Sequence, residues 1–154
     1  MRVLSNNELE LLEHRKAGFD VFLEERMPIL VDFAERLSIE KPYEIIINPA
    51  RFIRPIDSFM ANQAIDSDDR TWILTRIGYL IGEWFVQKLD GCWKLNSIPD
   101  SIFFARYVIS DFSGVNNPNA MADPFSIAEE YIDSPPPRNL DKLLNSVVDD
   151  LMAL

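Results

Sequence analysis

The stretch Asp66-Ser67-Asp68-Asp69-Arg70-Thr71-Trp72-Ile73-Leu74-Thr75-Arg76-Ile77-Gly78-Tyr79-Leu80-Ile81-Gly82-Glu83-Trp84-Phe85-Val86-Gln87-Lys88-Leu89-Asp90-Gly91-Cys92-Trp93-Lys94-Leu95 decides the fold. Its opening carboxylates suit a helix start, where they cap free amides and meet the positive end of the helix dipole. From about Asp68 to Leu89, Ile73, Ile77, Leu80, Ile81, Trp84 and Leu89 form one apolar face, and Trp72, Tyr79 and Val86 make a second side apolar. Arg76, Glu83 and Gln87 keep a narrow polar stripe. A helix apolar on most sides is a central one. Its most apolar part, Trp72 to Val86, is interrupted by Arg76 and Glu83 and is shorter than the roughly 20 residues a membrane span requires. Asp90-Gly91 ends the helix, and Cys92-Trp93-Lys94-Leu95 alternates as a strand does.

Downstream, the aromatic and β-branched run Ser101 to Ile109 predicts a second strand, and Asn96 to Asp100 has the length of a hairpin connector. Asp111 to Asp123 is loop-like, Pro124-Phe125 opens a short helix to about Ile132, and Ser134-Pro135-Pro136-Pro137 is a stiff spacer. Asn139 then caps an amphipathic helix built on Leu140, Leu143, Leu144, Val147, Val148 and Leu151.

Upstream, Ser5-Asn6-Asn7-Glu8 has capping-box form, and Leu9, Leu12, Phe19, Leu23, Leu30, Phe33 and Leu37 continue with helical periodicity. Pro28 lies inside this run and predicts either a kinked long helix or two helices that break near Arg26 and Met27. Tyr43 to Ile47 reads either as a short strand or as a buried connector, and Pro55 as the first turn of a short helix through about Asn62. The expected fold is α+β and mainly helical, with a small antiparallel β-hairpin or sheet packed on a helical layer. Its 154 residues suit one domain, with an N-terminal helical part over about 5–66 and the central helix, hairpin and C-terminal helices over about 67–154.

Charge bounds the function. Fifteen basic residues against 25 acidic ones leave a formal net charge of −10. Of this, −6 falls from Tyr107 onward, where Arg138 and Lys142 stand against eight carboxylates. Such a surface repels phosphate, which disfavours general nucleic-acid binding and attachment to an anionic membrane. It either keeps the chain in solution or steers a basic partner. Cys92 is the only cysteine, and Met1-Arg2-Val3-Leu4-Ser5 lacks the apolar region of a signal peptide; both point to a reducing cytoplasm.

Catalytic signals are few. His14, the one histidine, lies among carboxylates at Glu10 and Glu13 and reads as solvated, while Cys92 reads as a small buried thiol with no evident base. There is no nucleophile elbow, no phosphate-binding glycine loop and no zinc-like spacing of Cys or His, so neither a metal nor a cofactor is expected. Counting from Asp66 as position one of a calcium loop puts Thr71 at six and Ile77 at twelve, where Gly and Glu are required.

Gly78 and Gly82 are four apart on the central helix and each weakens it by roughly 1 kcal/mol relative to Ala, which predicts a second backbone in close approach. Glu83 beside them requires a partner if buried, with Arg76 or Arg106 the candidates. Either it fixes the helix against the hairpin, or it serves a carboxylate-using enzyme or ligand site with those arginines as anion contacts. Trp93, Phe103, Phe104 and Tyr107 enrich the hairpin in aromatics. Strand alternation sends Phe103 and Phe104 to opposite faces, which makes Phe104 a candidate for contact with a partner.

Gly78-Tyr79-Leu80-Ile81-Gly82-Glu83, Gly91-Cys92-Trp93, Asp123-Pro124-Phe125 and the closing Leu-rich helix, in that order, resemble a group of small bacterial domains of unknown function. Those domains carry a Gly-x-x-x-Gly-Glu helix, a Gly-Gly-x-Trp strand start and a late Pro-Phe before a helix. The resemblance covers about residues 72–154, and Asp90-Gly91 departs from the doubled glycine. It implies a bacterial cytoplasmic protein and no particular activity. The leading expectation is a non-catalytic protein-interaction module with an acidic surface, of which an immunity protein against a basic toxin is one form. Glu83, Arg76, Arg106, Trp93 and Phe104 are the candidate binding residues. Self-association through the first helix, where Lys16 interrupts a heptad-like seam, is a third course.

Overall fold

In the computed structural model, which describes residues 2–154, the Asp66 carboxylate accepts hydrogen bonds from the amides of Asp68 and Asp69. The helix it caps is Ser67–Leu89, and its stretch from Ile77 to Phe85 is buried without a break. Four other helices and a small sheet are arranged around it. In chain order the helices are α1 (Asn6–Arg36), α2 (Ala50–Met60), α3 (Ser67–Leu89), α4 (Pro124–Asp133) and α5 (Leu140–Met152). The strands are β1 (Cys92–Leu95), β2 (Tyr107–Ser110) and β3 (Met121–Ala122), antiparallel in the order β1-β2-β3. The fold is α+β and mainly helical, with the sheet against the helical layer. α3 packs most extensively on α4 and also meets α1, β1 and β2.

Capping chemistry starts α1, α3, α4 and α5 where the sequence places it. Ser5 and Glu8 make both halves of the capping box of α1. Asp123 accepts from Phe125 and Ser126 at the head of α4, and Asn139 accepts from Lys142 at the head of α5. α1 runs unbroken through Pro28. Pro28 and Glu24, whose carbonyl loses its partner, are both exposed, so the missing hydrogen bond falls on the solvent side. Leu30, Phe33 and Ala34 after the proline are buried, and Phe19, Phe22 and Leu23 before it pack on the same core, so tertiary contacts hold both halves.

The structure decides one alternative left open by the sequence and corrects several local expectations. Pro42–Ile45 is a 3₁₀ helix that buries Ile45, so residues 43–47 are not a strand. Pro55 lies inside α2, which begins five residues earlier at Ala50. Phe52, Ile53, Ile56 and Met60 bury one face of that helix, while exposed Pro55 lies on the other. Ile102 to Ala105 is a turn, and only Tyr107–Ser110 pairs, with Trp93 opposite Ile109 and Leu95 opposite Tyr107. The Asn96 side chain explains the shortening: its amide donates to the Ser101 hydroxyl and its oxygen accepts from the Ile98 amide. Ala105, at a left-handed φ of 60°, closes the turn by donating to the Asn96 carbonyl. β3 falls within the segment expected to be loop.

At the far end of the core, Asp57 of α2 accepts from the Tyr131 hydroxyl at 2.6 Å and from the Leu140 amide at 3.0 Å, which ties α2, α4 and α5 together. Buried Arg138 donates to the carbonyls of Met60, Gln63 and Ile132. Its charge is thereby set at the negative ends of α2 and α4.

Rings, not a second backbone, occupy the glycine face of α3. A methyl group at Gly78 would overlap the Phe125 ring, and one at Gly82 the six-membered ring of Trp93. Gly82→Ala should therefore lower stability by about 1–3 kcal/mol despite the better helix propensity of alanine. Gly114→Ala, where the added atom meets nothing within 4 Å, should change it by less than about 0.5 kcal/mol. The urea midpoints of the two variants check the contrast.

Candidate functional site

Glu83 is 2% exposed. Its Oε1 accepts from Arg26 Nη1 at 2.9 Å and from Trp93 Nε1 at 3.1 Å. Gly82 makes this possible, because only a residue without Cβ lets the indole lie on the helix close enough for its N–H to reach the next side chain. Burial raises the Glu83 pKa above the ordinary carboxylate value, and Arg26 and the Trp93 hydrogen bond pull it partly back. The carboxylate is sealed between α1, α3 and β1.

The predicted residues separate. Of the five, only Glu83 and Trp93 meet. Arg76 is not a partner of Glu83: its guanidinium lies 3.9 Å from the centre of the Trp72 ring, and its Nη1 donates to the Trp72 carbonyl. Burial lowers its pKa. Arg106 is not a partner of Glu83 either; its Nη1 donates to Asp123 Oδ2 at 2.6 Å and to the Ser126 hydroxyl at 2.7 Å. Phe104 is half-buried in the turn before β2, so the alternation expected of it does not apply. Cys92 is exposed, not buried. Trp93 points inward from β1, which sends its neighbour outward. Partial burial and then Asp111 raise the Cys92 thiol pKa, which disfavours the nucleophilic thiolate.

Arg26 is the residue that the sequence reading missed, and a signal for it exists. Phe19, Phe22, Arg26, Leu30 and Phe33 follow helical spacing, so the arginine interrupts an apolar stripe. Arg15 interrupts the same stripe between Leu12 and Phe19.

Beside the sealed pair, and not including Glu83, lies a cavity of about 410 Å³ between α1, α3, β2 and the start of α4. Phe22, Tyr79, Tyr107 and Phe125 supply its aromatic walls, and Arg15 and Arg106 its cationic groups. The Tyr79 hydroxyl donates to the Phe22 carbonyl at 2.8 Å and the Tyr107 hydroxyl to the Arg15 carbonyl at 2.5 Å, both on α1. Burial pushes the Tyr79 phenol up to about 12, so it remains a donor through the neutral range. Among the described residues, no three His, Cys, Asp or Glu side chains are arranged to hold a metal ion. No helix of the described residues is long and apolar enough to cross a membrane.

Comparison with known proteins finds no family model that matches the chain, and no curated protein or solved structure that does.

Arg26→Met removes the cation and keeps the packed stem, leaving Glu83 without its charge partner. The loss should be about 2–3 kcal/mol in urea unfolding, short of the roughly 3–5 kcal/mol of a fully buried pair because the Arg26 side chain is 32% exposed. Adding Glu83→Gln should restore most of it. The folded protein also holds the Glu83 proton more tightly than the unfolded chain does. The stability contributed by that difference is full below the unfolded value near 4.5 and lost as pH rises through the raised folded one. Wild type should therefore lose stability relative to Glu83→Gln as pH is stepped upward from 4.5.

Proposed function

We propose that this chain is a non-catalytic protein-interaction module whose acidic surface attracts a basic protein partner and whose β1–β2 connector forms the centre of the contact. The observation that carries the proposal is the exposure of Ile102 and Ile98, 85% and 50%, on a connector that is otherwise tied down. Asn96 and Ser101 hold it from within, and Arg2 reaches across to Asp100 and the Pro99 carbonyl. An apolar tip held in one conformation loses little entropy on binding. These isoleucines take the place that the sequence reading gave to Phe104.

The net charge of −10 supports a basic partner, with Asp141, Asp149 and Asp150 exposed along α5. Complementary charge speeds encounter and selects the partner, while the apolar tip supplies short-range contact. The resemblance over about residues 72–154 supports a bacterial cytoplasmic setting, and an immunity protein against a basic toxin is one concrete form. The closure of Glu83 under Arg26 and Trp93 speaks against a carboxylate-using enzyme centred there.

Affinity capture from native lysate at low and high salt, followed by titration of the recovered partner, tests the proposal. A stoichiometric basic protein should be held at low salt and released at high salt, since screening weakens long-range attraction. Ile102→Asp should weaken it at least about tenfold. Capture of nothing at either salt, or equal affinity of Ile102→Asp, would overturn the proposal.

A further inference from the structure

The geometry points to a second binding capacity: we propose that the cavity between α1, α3, β2 and the start of α4 takes a small organic anion, a flat apolar body bearing one carboxylate. The body lies against the aromatic wall of Phe22, Tyr79, Tyr107 and Phe125, and its acid group meets Arg15 and Arg106.

Size and wall chemistry fix the body. About 410 Å³ falls within the roughly 300–1,000 Å³ of small-molecule sites. The rings brace one another: Phe22 lies 4.4 Å from Tyr107 and 4.8 Å from Tyr79 between ring centres, and 5.9 Å from Phe125. The phenol hydroxyls are committed to α1 carbonyls, so the tyrosines offer the ligand ring carbon and no free donor proton. Such walls favour a flat apolar group over a sugar, which requires many hydrogen bonds.

The polar groups fix the sign of the charge. Asp123 is 3% exposed and its oxygens are spent: Oδ1 accepts from the Phe125 and Ser126 amides, Oδ2 from Arg106 and the Ser126 hydroxyl. Glu129 at the rim is drawn toward Arg70 at 3.5 Å. The cations have capacity left. Arg106 uses only Nη1, and its half-exposed guanidinium has Nε and Nη2 without a protein partner among the described residues. Arg15 has no carboxylate within ion-pair distance among the described residues, and its guanidinium lies 6.0 Å from the centre of the Tyr107 ring. In a chain of net charge −10, this cavity joins apolar walls to unspent guanidinium donors, and planar donors of that kind match a carboxylate.

Calorimetric titration of the full chain with 2-naphthoate, 2-naphthalenemethanol and 2-naphthylmethylamine tests the assignment. It requires no protein partner, so its outcome is independent of the proposed function. The carboxylate should bind with one-to-one stoichiometry, and the alcohol and the amine at least about tenfold more weakly, the worth of a charge-assisted hydrogen bond. Arg106→Gln should lose about tenfold for naphthoate and leave the alcohol unchanged. Arg106 also holds Asp123, so Arg15→Gln, which breaks no ion pair among the described residues, provides the second variant and should give the same selective loss. Absence of saturable naphthoate binding, equal affinity for the three probes, or an Arg15→Gln protein that binds naphthoate as wild type does would overturn the assignment.

Discussion

A carboxylate buried between Gly82 and Trp84 on a central helix has to be met by donors from neighbouring elements, and that requirement organises the molecule. An unpaired charge at such a site would cost several kcal/mol or force protonation. Glu83 obtains one donor from α1 through Arg26 and one from β1 through Trp93, which sets both elements against α3. The indole reaches it only because Gly82 has no side chain, and Gly78 one turn earlier admits Phe125 from α4 in the same way. One helix face thereby receives the first helix, the sheet and the fourth helix, and the Phe22–Tyr79–Trp93–Phe125 cluster fills the space between them.

The same arrangement separates the closed polar pair from the open polar groups. Glu83, the most conspicuous polar residue of the central helix, is closed off from solvent and holds the fold together. The polar groups with unused capacity lie on the other side of the aromatic cluster, where Arg15 and Arg106 border an open cavity. α1 serves both sides from one stripe. Arg26 points into the sealed pair, and Arg15, about three turns earlier on the same face, belongs to the cavity. The two tyrosines that line the cavity also hydrogen-bond α1 through their hydroxyls, so the walls of the space and the attachment of the helix are the same residues.

Much of this architecture was legible in the sequence because it rests on local chemistry. The caps at Ser5, Asp66, Asp123 and Asn139 act within three residues of themselves, and each helix begins where its cap lies. The all-round apolar character of residues 72–89 placed α3 at the centre, and alternation from Cys92 to Leu95 gave the first strand. The same alternation, with Trp93 inward, already implied an exposed Cys92. The apolar stripe of α1, interrupted at Arg15 and Arg26, already marked two inward-facing charges.

Local pattern alone determined the starts of α1, α3, α4 and α5, the central helix, the start of β1 and the α+β class, because capping and hydrophobic periodicity act over a few residues. The tertiary structure decided which arginine answers Glu83, since Arg26 is 57 residues away and the sequence pattern offered Arg76 and Arg106. It decided that rings fill the glycine face, because a missing Cβ states only that something comes close and not what. It carried α1 through Pro28 by burying side chains on both sides of it, and it delayed the start of β2 to Tyr107 because the Asn96 and Ser101 side chains close a turn within the connector. Except in that turn, whose Asn96–Ser101 contact is local, the deciding contact joins elements well separated in the chain, and its free energy outweighs the local preference it overrides.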